Sequence, residues 1–308
     1  MGATGLVVSA LCMGCAPLSG IRATYATVTE EAQALATIRA ILESPINFLD
    51  TAALYGDGES ERRIGMVLRE RGGLPDHIVL ATKIGWDPKT YRFDGDSTRR
   101  RLDRSLSLLG LDQLQLVYLH DPEHSTWEQI MAPGGPLAAL QQAKEEGLIA
   151  HLGIAGGPIS LMARYVETGL FAVAISHNRY TLLNRAADPF WDLCRRLDVA
   201  ALNAAPYGGG MLALGPAAFP NYAYHSASPA MLEWARRMEA CCTSYAVPLA
   251  AAALQFSLRD ARLTSTIVGL GAPAEIHATL ALAAHVIPER LWADLATIPF
   301  DDADFRED

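Results

Sequence analysis

Short, nearly continuous apolar runs recur along this chain, separated by longer segments with helical patterning. The runs fall at 46–50, 77–83, 114–119, 149–154, 172–177, 199–203 and 265–269, and LCMG at 11–14 makes an eighth. Runs without polar alternation suit a parallel sheet covered on both faces, because neither face meets water. Helical patterning occupies 58–71, 96–109, 127–146, 158–168, 188–197, 228–245 and 273–285. Asp96, Ser97 and Asp188 suit helix starts, and Gly110, Gly147 and Gly169 suit helix ends. Such a βα repeat favours an α/β fold of the closed (β/α)8 TIM-barrel type over a doubly wound sheet. No G-x-G-x-x-G follows the first strand, so a Rossmann dinucleotide site has no support. VVSA (7–10) is expected in a short N-terminal hairpin plugging the barrel bottom, with an extra helix at the C-terminal end. Composition shows no break, which predicts a single barrel domain over 1–308.

Charge and composition exclude several classes of function. The 308 residues carry a net charge of -9, which argues against a phosphate-backbone partner and hence against nucleic acid. The densest basic run, Arg99-Arg100-Arg101-Leu102-Asp103-Arg104, reads as a solvated helix face. No apolar run reaches the roughly 18–20 residues a membrane span needs, and LAAAALQFSL (249–258) comes nearest. The N-terminus lacks the pattern of a secretory signal. Cys12, Cys15, Cys194, Cys241 and Cys242 are odd in number and form no framework, so a reduced, cytoplasmic chain is expected. Cys12-Cys15 has C-x-x-C spacing, but no second pair completes a site, so no metal is expected. Cys241-Cys242 suits apolar filler on a helix. An oligomer is compatible with all of this.

Barrel enzymes carry their sites at the C-terminal ends of the strands. Here Asp50 ends the second strand, Tyr55 follows it in the first loop, Lys83 ends the third and His120 the fourth. Each residue alone has an ordinary structural explanation: a turn cap, an interfacial aromatic, a surface lysine or a core histidine. Together they place a carboxylate, a phenol, an ammonium and an imidazole on neighbouring strand ends. A phenol beside an ammonium can move a proton to or from an alcohol or carbonyl oxygen. Glu59 and Glu61 more naturally open the second helix.

The segments NFLDTAALYGDGESERRIG, HIVLATKIG, LDRSLSLLGLDQLQLVYLHDPE, LAALQQAKEEGLIAHLGIAG and SHNRYTLLNR resemble the aldo-keto reductase family, in family order. Within it, DPEHSTWEQIMAPGGPLAALQQAKEEG and NAAPYGGGMLALG are similar to the sugar-oxidising branch, the L-fucose, D-threo-aldose and L-galactose dehydrogenases. The resemblance implies that Asp50, Tyr55, Lys83 and His120 are the catalytic tetrad. Tyr55 would exchange the proton, Lys83 would lower the phenol from its ordinary value near 10, Asp50 would hold Lys83, and His120 would fix the substrate oxygen. The cofactor would be a nicotinamide dinucleotide.

The chain departs from the family around the cofactor. Where the family has Ser-Asn after the fifth strand, this sequence reads Ala155-Gly156-Gly157. His177 stands for the usual glutamine, with Asn178 next, and both are candidates for the carboxamide. Tyr207 is the candidate for stacking on the nicotinamide. Near the eighth strand, Gly269 and Glu275 replace the lysine and arginine with which NADP-preferring members grip the 2′-phosphate. A carboxylate there would repel that phosphate and can accept from a free ribose hydroxyl, so NAD is expected over NADP. The helix start near Gly271-Ala272 suits a pyrophosphate. For the substrate, Trp86, Tyr25, His124, Trp127 and Met131 are candidate pocket residues. Tyr222-Ala223-Tyr224-His225, in a Pro- and Gly-rich loop, suits a lid or an oligomer contact. The expected reaction is oxidation of the anomeric carbon of a free aldose to a lactone. The alternatives are an NADPH-dependent carbonyl reductase and a non-catalytic nicotinamide-binding subunit.

Overall fold

A computed structural model describes residues 1–20 and 29–299. Eight parallel strands close into a barrel: Leu11–Gly14, Phe48–Asp50, Val79–Gly85, Leu114–His120, Ile149–Gly156, Val173–His177, Ala200–Ala204 and Leu263–Gly269. Each strand bonds to the next in sequence, and the last returns to the first with Leu11 opposite Thr266. All eight strands coincide with the apolar runs, their ends shifted by up to two residues. The helical segments are also found, with one exception. The segment 127–146 splits into Trp127–Met131 and Pro136–Glu145, because the intervening APGG cannot continue a helix. Three further helices, Glu31–Leu42, Met211–Leu214 and Leu249–Leu258, had no marked counterpart, and Glu289–Ala296 is the extra C-terminal helix. Asp94, rather than Asp96 or Ser97, caps the helix after the third strand by accepting from the Ser97 amide at 2.8 Å.

The expected N-terminal hairpin does not form. Residues 2–4 make a 3-10 turn, and the segment after it is tied by side chains rather than by a strand ladder. Asn47 accepts from the Ser9 amide at 2.7 Å and donates to the Val7 carbonyl at 2.9 Å. With these bonds satisfied by one side chain, no second strand is needed. The plugging role survives, since Met1, Leu6 and Val8 pack against the barrel interior.

Strand parity positions the site. Phe48, Val79, Ala81, Leu116 and Tyr118 point into the barrel and form its interior core with residues of the other strands. Leu49, Leu80, Ile84, Val117 and Leu119 point outward into the layer beneath the helices. Alternation with period two therefore turns Asp50, Lys83 and His120 inward at the upper rim. Close approach sets two glycines: a Cβ on Gly153 would lie 2.4 Å from the Tyr118 ring, and one on Gly85 would lie 2.7 Å from the His120 carbonyl.

The basic run is only partly a solvated face. Arg99 and Arg104 pair with Glu146, Asp103 and Asp57 at the surface, but Arg101 is buried and lies 3.8 Å from Asp87. Among the described residues no single helix is long and apolar enough to cross a membrane. LAAAALQFSL instead buries Ala251, Ala252 and Ala253 in a second core beside Pro229–Ser244. All five cysteines have free thiols, and burial pushes Cys12 and Cys15 upward, so they behave as small apolar side chains.

Candidate active site

Lys83 organises the rim of the barrel. Its ammonium donates to Asp50 Oδ2 at 2.5 Å, the Thr51 carbonyl at 2.9 Å and the Tyr55 hydroxyl at 3.0 Å. Asp50 and Lys83 are each 3% exposed, so the pair is a buried ion pair with all three ammonium donors engaged. Below it, Thr82 points the other way and donates to Glu61 at 2.6 Å, which also accepts from Ser105 at 3.1 Å. Glu61 is thus a buried tether between the second helix and the third strand, a role its sequence position does not signal. Tyr55 reaches the rim through a tight loop. The loop continues the ladder to the third strand, with the Ala53 amide donating to the Lys83 carbonyl at 3.0 Å. It then turns through left-handed Gly56, Asp57 and Gly58 into the helix Glu59–Arg71. The Tyr55 ring meets the His120 ring edge-on at 6.1 Å.

Electrostatics at the rim differ from the sequence expectation in one respect. Burial and the Asp50 charge hold the Tyr55 phenol well above its ordinary value. The nearby ammonium does not offset this, because the desolvation of the phenolate and the repulsion from Asp50 prevail. Burial and then the Lys83 charge hold His120 well below its ordinary value, so its imidazole is neutral and can donate one N–H to an oxygen.

A cavity of about 770 Å³ opens over these groups and runs across the barrel mouth. Its wall carries Asp50, Tyr55, Lys83 and His120 at one end and Gly269, Leu270, Glu275 and Ala278 at the other. His177 and Tyr207 lie on the wall between. Burial holds His177 down at about 4 and raises the phenol of Tyr207, whose hydroxyl is buried without a hydrogen-bond partner among the described residues. Asn178 lies behind the wall at 2% exposure, 3.2 Å from His177 Nδ1, and its Oδ1 likewise has no hydrogen-bond partner among the described residues. Gly271 lies behind the wall too: a Cβ there would meet Thr29 Oγ1 at 2.7 Å. Glu275 Oε2 accepts from the Gly271 amide at 2.7 Å and the Ala272 amide at 3.3 Å. The helix start expected to face a pyrophosphate is therefore capped by this chain's own carboxylate.

The residues proposed for the substrate side separate. Trp86 and His124 stack on each other at 4.7 Å, with Tyr91 at 5.8 Å from Trp86, outside the cavity wall. Trp127 turns away to stack on Tyr165 at 4.6 Å and under Arg164 at 3.7 Å, because its short helix packs on the outer layer. Met131 also packs on the outer core. Tyr25 lies outside the described residues. Tyr224, from the loop expected to form a lid or an oligomer contact, lies on the wall; missed by sequence reasoning were Asp121, also on the wall, and the small residues Gly14, Ala16, Ala204 and Ala205. Asp121, Glu123 and His177 bring ligand atoms within 4.8 Å of one another. Glu123 accepts from the Gly157 amide at 2.8 Å and His177 lies 3.2 Å from the Asn178 side chain, so two of the three are tied to neighbouring protein groups. The same contact explains Ala155-Gly156-Gly157: a Cβ on Gly157 would lie 3.1 Å from Glu123, and one on Gly156 would lie 2.9 Å from it.

These features fit a nicotinamide dinucleotide. The cleft is long, its walls are lined by small residues, and buried polar atoms without partners sit midway along it. When bound, the cofactor accepts or supplies a hydride. Among the described residues Lys83 is the one Lys or Arg on the wall, and it stands at the tetrad end.

Comparison with known proteins agrees with this geometry. The Aldo/keto reductase family profile matches residues 10–298. The chain is 30% identical to a D-threo-aldose 1-dehydrogenase of a Pseudomonas species, over 96% of this chain and 95% of that one. It is 29% identical to the L-galactose dehydrogenase of Arabidopsis thaliana (97% and 91%) and 27% identical to the pyridoxal 4-dehydrogenase of Microbacterium luteolum (96% and 95%). Among solved structures, an aldo-keto reductase from Bacillus halodurans in its holo form shares the fold, with TM-score 0.78, 22% identity, and 99% and 98% coverage. The barrel, the convergence of four strand-end groups and the match over nearly the whole length lead to one conclusion: this chain belongs to the aldo/keto reductase family.

Proposed function

We propose that this oxidoreductase oxidises the anomeric carbon of a free aldose to a lactone, with NAD as the preferred acceptor. The observation carrying this reading is the buried Asp50–Lys83–Tyr55 chain, joined at 2.5 Å and 3.0 Å and opening onto the cavity beside a neutral His120. His120 holds the reacting oxygen with its N–H. Tyr55 takes the hydroxyl proton as the hydride leaves the same carbon. Asp50 keeps the ammonium beside the phenol. Two relatives with sugar-dehydrogenase names support the substrate class. Glu275, held at the amides of the last barrel helix, supports NAD, since a 2′-phosphate would meet a carboxylate already occupying that anion site.

A second reading also has an observation behind it. The Tyr55 phenol is held protonated in the open cleft, which suits an acid donating to a carbonyl in the reductive direction. One assay separates the two: reduction of NAD and NADP with L-fucose, D-arabinose or L-galactose, against oxidation of NADH and NADPH with aromatic aldehydes. Sugar-dependent NADH formation is the expected result. Aldehyde reduction from NADPH with no sugar oxidation would overturn the proposal. Tyr55→Phe should lower either activity by about 10²- to 10⁴-fold while leaving cofactor affinity nearly unchanged.

A further inference from the structure

Asp121 directly follows His120, and its backbone is bent into the left-handed region at φ 46, which a non-glycine residue rarely adopts. The bend turns its carboxylate back over the barrel mouth, where Oδ2 lies 3.5 Å from His120 Nε2 and on the cavity wall. The segment is held there by the Asp121 amide, which donates to the Ala155 carbonyl at 2.7 Å. The carboxylate has no closer hydrogen-bond partner among the described residues.

A second strained segment arrives from the opposite side. Asn221–Tyr222 and His225–Ser226 form a small antiparallel ribbon whose two-residue turn is Ala223-Tyr224, at φ 45 and φ 74. Such a turn is ordinarily built from Asn and Gly, because both central residues need positive φ. Here Ala and Tyr are forced into it by firm anchoring. Tyr222 is buried, its hydroxyl donates to the Asn178 carbonyl at 2.8 Å, and its ring lies where a Cβ on Gly208 would approach to 2.2 Å. The Ala223 amide donates to the Gly208 carbonyl at 3.1 Å. The turn thereby places Tyr224 on the cavity wall, its hydroxyl bonded to the Asn178 side chain and its ring over half exposed.

We propose that Asp121 and Tyr224 form a hydroxyl-recognition subsite that binds a substrate hydroxyl on the carbon next to the reacting one. This deepens the sugar reading, since an aldose carries its C2 hydroxyl there. A hydroxyl neighbouring the oxygen held by His120 falls within reach of the Asp121 carboxylate, which accepts from it, while the Tyr224 phenol donates to it. Burial and Glu123 lift Asp121 to about 7, so near neutrality this side chain can accept or donate. Both residues position the substrate rather than exchange the reacting proton.

The test compares kcat/KM for paired substrates in the wild type, Asp121→Asn and Tyr224→Phe. Asn tolerates the left-handed backbone, so the first change preserves the bend. The reductive pair is 2-hydroxypropanal and propanal, and the oxidative pair is an aldose and its 2-deoxy counterpart. The wild type should favour the hydroxylated member by about 10- to 100-fold, as expected for a hydrogen bond to a charged group. Asp121→Asn should cut that ratio to within about threefold, and Tyr224→Phe should cut it by a smaller factor, about 3 to 10. Damage to the fold would lower both members of a pair and keep the ratio. A wild type without preference, or an unchanged ratio in Asp121→Asn, overturns the proposal. A ratio that collapses on the aldehyde pair while no sugar is oxidised would sink the aldose reading and leave the subsite standing.

Discussion

Replacing Lys83 with Met isolates the electrostatics on which the site rests. Asp50 is 3% exposed, and Lys83 is its one hydrogen-bond partner among the described residues, with Oδ1 already unpaired. Without the ammonium a buried carboxylate charge is untenable, and Asp50 takes a proton instead. Its folded value then lies far above the unfolded value near 3.9, so the folded state holds a proton that the unfolded state releases, and stability falls as pH rises. Burial already holds the Asp50 carboxyl above its ordinary value beside Lys83, so the added penalty is at most about 4 kcal/mol at pH 7 and about 1.5 kcal/mol at pH 5. The Thr51 carbonyl also loses its donor, adding about 1 kcal/mol at either pH. At about 1.5 °C per kcal/mol for a chain of this length, Tm should drop by up to about 7 °C at pH 7 and up to about 4 °C at pH 5, relative to wild type at the same pH. Thermal unfolding at the two values measures this directly. Adding Asp50→Asn should remove the pH-dependent part, because no charge is left to neutralise. Equal losses at pH 5 and pH 7 would show that lost packing of the lysine stem, not an abandoned carboxylate, sets the cost, and would refute the reasoning.

Other outcomes follow from the same site. Glu275→Gln keeps an oxygen for the Gly271 amide but removes the charge, so the ratio of NADP to NAD in kcat/KM should rise about tenfold, with Glu275→Arg raising it further; an unchanged ratio would show that Glu275 does not face the adenosine end. The Tyr55 phenol is held well above 10, so at fixed cofactor saturation the oxidative kcat should climb by up to about tenfold per unit as pH rises through about 7 to 9. Reduction, which uses the protonated phenol, should stay nearly flat over that range. A flat oxidative profile would mean that Tyr55 deprotonation does not limit the rate.

The fold was legible where local physics decides it. Strands covered on both faces must be apolar without alternation, so each of the eight announced itself, and the parity of inward-facing residues carried Asp50, Lys83 and His120 to one rim. Leu249–Leu258 gave no periodic signal because it is apolar nearly all round, buried between the barrel and a second core. The hairpin expected at 7–10 failed because Asn47, distant in sequence, supplies the bonds a second strand would have made. Trp127 seemed suited to the pocket by its closeness to His120 in sequence, but a capped helical turn swings it to the outer layer.

By itself the sequence determined the barrel, the order of its strands and the four groups at their ends, because side-chain alternation and strand order are local properties that a closed parallel sheet must respect. Only the tertiary structure decided what those groups do to one another. Burial and the Asp50 charge outweigh Lys83 and hold the Tyr55 phenol up. Glu275 turns back onto its own helix start. Two strained turns far apart in the chain bring Asp121 and Tyr224 to one wall. The first and last of these depend on desolvation and on distances between segments remote in sequence, which residues taken one neighbourhood at a time do not encode, whereas the Glu275 cap is local and its orientation emerges only in the fold.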